Sequence, residues 1–251
     1  MSRGSFQKAC VSCVLGIVFF GGTVGVNAAW LSSNGDLGVS WTYGEGASLA
    51  SDSQSPFTNA FGNNSSGAHV DARTGDHGVL QSFTEIPATA TGMLYLNVDF
   101  RNNDSNAGYY TLTVDSDSGV TVTSDLKITG SEVYVRSASG YGASLLTPAV
   151  GTWYNVQLAL NLDTDTYSGT ITPYGGSSIA ISERNFVQSN TKINNIFSST
   201  YGNTVNCPDH DIDNFALSDT VIPSPVPEPG MIALLGIAMF GLLAYAWKKR
   251  K

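Results

Sequence analysis

Met93-Leu94-Tyr95-Leu96-Asn97-Val98-Asp99-Phe100-Arg101 and Trp153-Tyr154-Asn155-Val156-Gln157-Leu158-Ala159-Leu160 are the two stretches whose reading decides the fold. In the first, Leu94, Leu96, Val98 and Phe100 alternate with Tyr95, Asn97 and Asp99. In the second, Trp153, Asn155, Gln157 and Ala159 oppose Tyr154, Val156, Leu158 and Leu160. A period of two is the signature of a half-buried antiparallel strand. Working outward, strand-like runs also occupy Leu37–Tyr43, Gly78–Thr84, Gly108–Asp115, Glu132–Ser137, Tyr167–Tyr174, Ser178–Ser182 and Ile212–Ser218. Asn/Asp/Gly/Ser clusters such as 101–108 and 115–119 separate them, and Asp163-Thr164-Asp165-Thr166 reads as a short hairpin loop. One segment, Thr191–Ser198, predicts a helix of one or two turns. Trp153 opens the most regular strand and is expected in the core. Many short strands at regular spacing predict an all-β, antiparallel two-sheet sandwich over 30–220.

Composition agrees. The 251 residues are 42% hydrophobic and 13% charged, with 27 Gly. A charge-poor chain with 10% aromatics is not a disordered one, and 3 Cys are too few for a disulfide scaffold.

The two ends have a different character. Arg3 and Lys8 precede an apolar stretch from Ala9 to Val26, and small residues follow at Val26-Asn27-Ala28. A basic, then apolar, then small-residue order predicts a secretory signal peptide over 1–28, cleaved after Ala28 or Ala29. Cys10 and Cys13 leave with it, so their C-x-x-C spacing carries little redox meaning. At the other end, 221–230 is a Pro-rich linker too rigid for helix or central strand. Residues 231–247 form an uncharged apolar run closed by Lys248, Lys249, Arg250 and Lys251. At 1.5 Å per residue that run spans about 26 Å, near the short limit for crossing a bilayer. The cations predict a basic cytoplasmic tail.

Val226, Pro227, Glu228, Pro229 and Gly230, the apolar helix and the terminal basic cluster together resemble a PEP-CTERM sorting signal. The resemblance implies recognition and processing by a membrane exosortase, with delivery to the cell surface or extracellular polysaccharide matrix. The body resembles the laminin-G-like, concanavalin A-like jelly roll. That likeness rests on Gly151-Thr152-Trp153-Tyr154-Asn155-Val156-Gln157-Leu158, on Ser168-Gly169-Thr170-Ile171, and on the closing Ile212-Asp213-Asn214-Phe215-Ala216-Leu217. The family's last strand lies beside its first.

Glucanases of that fold carry E-x-D-x-x-E or E-x-D-x-E on one strand, and a retaining mechanism needs the carboxyls about 5–5.5 Å apart. Glu45, Glu85, Glu132 and Glu183 have no Asp two positions on. The chain has no H-E-x-x-H, G-x-S-x-G or P-loop. His69 and His77 share a loop-rich stretch with Asp71, Arg73 and Asp76, a metal or lyase-type set or else solvated loop residues. Asp209, Asp211 and Asp213 alternate, and three carboxylates on one face favour Ca²⁺. The jelly-roll resemblance adds a structural calcium near the last strand and the N-terminal segment, which makes Asp211 and Asp213 with Asp36 the candidate ligands. Asp163 and Asp165 are a second candidate pair, although Asp is common in turns.

Glycan binding needs an aromatic face for the sugar ring and planar polar groups for its hydroxyls. Tyr95, Tyr109 and Tyr134, with Asn97 and Arg136, are the expected set; Tyr110, Tyr141 and Tyr201 are further candidates. Alternation puts about half of these tyrosines inside. Cys207 is expected to be a buried small hydrophobe. Between 30 and 222 the chain has 6 cations and 19 acids, a net charge of −13. Such a field repels phosphate backbones and argues against nucleic acid. The expectation is an exported surface or matrix protein with a non-catalytic glycan-binding or adhesion role and extracellular polysaccharide as partner. A glycan-cleaving hydrolase or lyase on the same fold, and a passive structural surface protein, are the alternatives.

Overall fold

A computed structural model describes residues 31–32, 41–43, 46–57, 67–71, 78–116, 121–189, 192–200 and 207–222. The signal segment 1–28, Asp36, His77, Tyr201, the linker beyond Ile222, the apolar run 231–247 and the basic tail lie outside the described residues. Among those described, no helix is long and apolar enough to cross a membrane.

Among the described residues fifteen strands follow one another, with a 3-10 turn at Ser51–Ser53: β1 (Leu31–Ser32), β2 (Trp41–Tyr43), β3 (Ala47–Ala50), β4 (Gly67–Val70), β5 (Gly78–Ile86), β6 (Met93–Asn102), β7 (Tyr109–Ser116) and β8 (Thr121–Thr129). Then come β9 (Val133–Ser137), β10 (Gly140–Tyr141), β11 (Trp153–Asn161), β12 (Thr166–Pro173), β13 (Ile179–Asn185), β14 (Ile193–Thr200) and β15 (His210–Ser218). They make two antiparallel sheets. The eight-stranded sheet runs β13-β12-β11-β6-β15-β4-β3, with β1 also on β15; the seven-stranded sheet runs β10-β9-β8-β7-β14-β5-β2. The last strand therefore lies beside the first, as the jelly roll requires.

The two deciding stretches are neighbours. β6 and β11 pair with Leu96 opposite Leu158, Val98 opposite Val156 and Phe100 opposite Tyr154. This register puts both apolar sets on one face, where Ile212, Phe215 and Leu217 of β15 join them. They pack against Tyr110, Leu112 and Val114 of β7, Leu126 and Ile128 of β8, and Ile193 and Ile196 of β14. Burying each large apolar side chain stabilises by about 1.5–3 kcal/mol, so this interface holds the sheets together. The β11–β12 loop is the expected hairpin, and Asp165 in it takes a left-handed φ of 52°.

Two expectations need correction. Thr191–Ser198 does not form a helix: its described part belongs to β14, paired on both sides with β5 and β7. A bulge between Ile193 and Asn195 brings Ile193 and Ile196, three residues apart, onto the same core face. That spacing imitates a helical turn. Trp153 is buried, but on the sheet face away from the core: Tyr154 belongs to the core cluster and Trp153 does not. The Arg101 guanidinium lies 5.0 Å from the centre of its indole.

Candidate functional site: a tyrosine cleft on the seven-stranded sheet

Each sheet has an outer face, and the expected glycan residues divide between them. On the seven-stranded sheet, β7, β8, β9 and β10 are successive neighbours. Pairing sets Lys127 opposite both Thr111 and Tyr134, and Tyr141 opposite Arg136. Alternation then brings Tyr109, Thr111 and Thr113, Asp125 and Lys127, Tyr134 and Arg136, and Tyr141 to one face. Tyr109, Thr111, Thr113, Asp125, Arg136 and Tyr141 line a cleft of about 370 Å³ there, with Val122 at its margin.

Polar contacts fix the geometry. Tyr141 is 41% exposed, and its hydroxyl donates to Asp125 Oδ2 at 2.7 Å. Thr113 donates to Asp125 Oδ1 at 3.2 Å, and Arg136 Nη1 approaches Oδ2 at 3.4 Å. Burial lifts the Asp125 carboxyl above the usual range, against the lowering pull of Tyr141, Arg136 and Thr113. The Tyr141 hydroxyl is pushed upward by burial and by the Asp125 charge, so it remains a donor. Lys127 Nζ sits 4.3 Å from the Tyr109 ring centre, 5.5 Å from Tyr141 and 5.7 Å from Tyr134. Tyr134 and Tyr141 meet edge to face at 6.4 Å, and the Tyr134 hydroxyl donates to Glu132. The result is a platform of three rings bordered by two cations, one carboxylate and two threonine hydroxyls. Rings of this kind stack on the C–H face of a sugar, and the polar border takes its hydroxyls.

Thus Tyr109, Tyr134 and Arg136 come together, joined by Tyr141 and by Lys127, Asp125, Thr111 and Thr113. Asp125 and Lys127 were not anticipated, because β8 was not recognised as a strand; Thr111 and Thr113 lie on the expected strand β7 but were not singled out. Tyr95 and Asn97 lie instead on the outer face of the eight-stranded sheet. Tyr95 borders a second hollow of about 300 Å³ with Gln157, Ala159 and Ile222. Asn97 is buried and donates to Asn214 O at 2.8 Å. Tyr110 is wholly buried and stacks on His210 at 3.6 Å between ring centres.

Over β6, β15 and β4 the outer face of the eight-stranded sheet is covered. Residues 51–57 run over it as a strap held by carboxylates. Ser53 Oγ donates to Asp211 Oδ1 at 2.7 Å, Ser55 N to Asp213 Oδ2 at 2.7 Å, and Ser55 Oγ to Asp99 Oδ2 at 2.6 Å. Phe57 at its end is fully buried and meets Tyr174 edge to face at 5.4 Å. Burial pushes the Asp99 carboxyl up to about 7, although Ser55, Asn155 and Asn214 all donate to it. Asp211 is also buried, but hydrogen bonds from His69, Ser53, Asn103 and Arg101 outweigh that and hold its carboxyl low. Arg101 Nε donates to Asp211 Oδ2 at 2.7 Å, and His69 Nδ1 lies 2.8 Å from Oδ1. The oxygens of Asp211 therefore already face a guanidinium and an imidazole, a setting unsuited to calcium. Asp213 receives the backbone N–H of Ser55 and of Asn214. Among the described residues, no three His, Cys, Asp or Glu side chains group to hold a metal. Cys207 is buried.

The sheet order, the absence of helix beyond one short turn among the described residues, and the core define a concanavalin A-like, lectin-type jelly roll. Solved structures share it. The catalytic domain of a glycoside hydrolase family 131 protein from Coprinopsis cinerea superposes with a TM-score of 0.57 at 11% identity, covering 80% of this chain and 98% of that domain. Arcelin-5, a lectin-like defence protein from Phaseolus vulgaris, gives 0.52 at 9% identity, with 76% and 98% covered. A sialidase gives 0.50 at 13% identity over 72% of this chain, which spans only 17% of the sialidase's length. At such identities the likeness is one of fold. No curated protein sequence matches the chain. Residues 225–251 match the PEP-CTERM protein-sorting motif. The protein therefore carries the mark of an exported, exosortase-processed cell-surface protein.

Proposed function

We propose that the protein is a non-catalytic glycan-binding component of the cell surface or its polysaccharide matrix, binding through the tyrosine cleft. The observation that carries this reading is the meeting of Tyr109, Tyr134 and Tyr141 around a cleft whose walls supply Asp125, Arg136, Thr111 and Thr113. Three rings on one exposed sheet face contribute nothing to the core, and a sorting motif for the cell surface fits a glycan-binding role. The binding reading is favoured over cleavage by the other sheet. Its facing carboxylates, Asp99 and Asp213, are Cα partners across β6 and β15, and they are 0% and 2% exposed beneath the strap. A reacting pair has to reach the sugar.

The test is titration of the full chain, purified in detergent, with a panel of neutral and acidic oligosaccharides, alongside an assay for reducing ends. Tyr109→Ala and Tyr141→Ala are expected to weaken binding about tenfold each, as loss of one stacking ring implies. No reducing ends should appear. Binding that ignores both substitutions, or its absence across the panel, defeats the cleft reading. Release of reducing ends would establish the hydrolase or lyase alternative.

A further inference from the structure

The tyrosine cleft also gathers the positive charge of a strongly negative domain. Of the six cations between 30 and 222, Arg101 is bound to Asp211 and Lys192 pairs with Glu85 at 3.0 Å. Two others, Lys127 and Arg136, stand at the cleft. Lys127 lies among the three tyrosine rings, and among the described residues no carboxylate pairs with it. Arg136 has only the long approach to Asp125, and its guanidinium stands 5.6 Å from the Tyr141 ring centre. Arg184, on β13, is not among the residues that line the cleft. Its Nη2 lies 3.5 Å from where a Cβ on Gly142 would stand, just past β10. The buried Nε of Arg184 has no hydrogen-bond acceptor among the described residues. Arg136 and Arg184 are both close enough to Tyr167 for their charges to act on its hydroxyl. The opposing acids are Asp125, which holds Tyr141 and Arg136, and Glu132, which accepts from Tyr134.

Aromatic faces hold an ammonium in place without neutralising it. Lys127 is thus a positioned cation whose donors await an acceptor. A carboxylate or sulfate supplies one, and a guanidinium takes either in a forked pair. Resting on the reading that the cleft binds glycan, we infer that it selects a glycan bearing an anionic group, with Lys127 and Arg136 facing the charge and the tyrosines facing the ring. The net charge of −13 does not forbid this, because repulsion beyond about 8 Å is screened at physiological salt while contact pairs persist.

The full chain in detergent is titrated with three probes: an oligogalacturonate, the same oligomer as its methyl ester, and a sulfated galactan oligosaccharide. At least one charged probe should bind about tenfold more tightly than the ester, and the tighter of the two identifies carboxylate or sulfate as the preferred group. Lys127→Met should weaken the charged probe about fivefold to tenfold and the ester by a clearly smaller factor. An unchanged melting temperature shows that the variant is folded. If neither charged probe binds more tightly than the ester, or if the variant loses charged and ester probes alike, the anionic selectivity is overturned while the cleft reading stands. Failure of all three probes to bind overturns both.

Discussion

Two buried ionisable side chains pull the pH dependence of stability in opposite directions. Asp99 has its carboxyl raised from 3.8 to about 7 by burial, so the folded state holds a proton that the unfolded chain releases. Its stabilising contribution is complete below about 4 and is lost as pH rises toward 7. His210 is lowered from 6.5 to about 4, again mainly by burial. Its Nδ1 lies 3.0 Å from the Pro208 carbonyl, which only accepts, so Nδ1 carries the hydrogen and Nε2 accepts from Ser198 at 3.1 Å. The unfolded imidazole binds a proton below 6.5 and the folded one does not, so this contribution is lost as pH falls from 6.5 toward 4. Over that shared window the two slopes largely cancel. Asp99→Asn should therefore expose the histidine slope, with unfolding free energy rising from pH 4 to 6.5 by on the order of 2 kcal/mol. His210→Gln should expose the reverse slope. Urea unfolding of both variants at a series of pH values checks this, and two flat profiles would contradict the burial account. Neither residue stood out in the sequence, because burial is set by what crosses the strand and not by the strand's own pattern.

Among elements, legibility followed alternation. β6 and β11 were readable because apolar and polar residues alternate without a break. β8 was missed, since Thr121–Thr129 shows only Leu126 and Ile128 as large core residues among Ser, Thr, Asp and Lys. With it went Lys127 and Asp125, two of the five polar residues bordering the cleft, while Tyr109, Tyr134 and Arg136 were legible by residue type alone. β14 was misread because its bulge turns a period of two into a spacing of three. The strap over 51–57 left no periodic signal at all. It is fixed by tertiary contacts, and the sequence mark it does leave is Gly67 on β4. A Cβ there would stand inside contact distance of the Ser53 carbonyl oxygen and 2.9 Å from that of Ile212. Gly67→Ala should thus lift the strap off Asp99, Asp211 and Asp213, destabilising by about 1–3 kcal/mol, as overpacking does. Gly175→Ala offers a contrast, because its φ of 73° gives strain but nothing lies within 4 Å of the new Cβ. The larger loss of melting temperature should belong to Gly67→Ala. If the two variants melt together, the strap is not held down at this point.

For the whole molecule, the folded body and the address label are separate devices joined by very little chain. Ile222 is buried against the eight-stranded sheet, and Gln157 Nε2 donates to its carbonyl at 3.5 Å. The matched sorting motif begins at Pro225, and its Pro227-Glu228-Pro229 core starts five residues beyond Ile222. Five residues reach at most about 18 Å, so a membrane enzyme acting on that core works close under the sandwich. Two consequences can be separated. Replacing Pro227, Glu228 and Pro229 together by alanine removes the recognised residues and leaves every described contact of the sandwich intact. Cells should then accumulate the unprocessed chain in the membrane fraction, with the melting temperature of the body unchanged. Deleting Pro223 and Ser224 keeps the motif but shortens the reach to at most about 11 Å, which should slow processing without abolishing it. Intact mass and fractionation distinguish the three chains. Normal maturation of the alanine variant would show that exosortase does not read these residues here, and normal maturation of the deletion would show that the sandwich does not crowd the processing site.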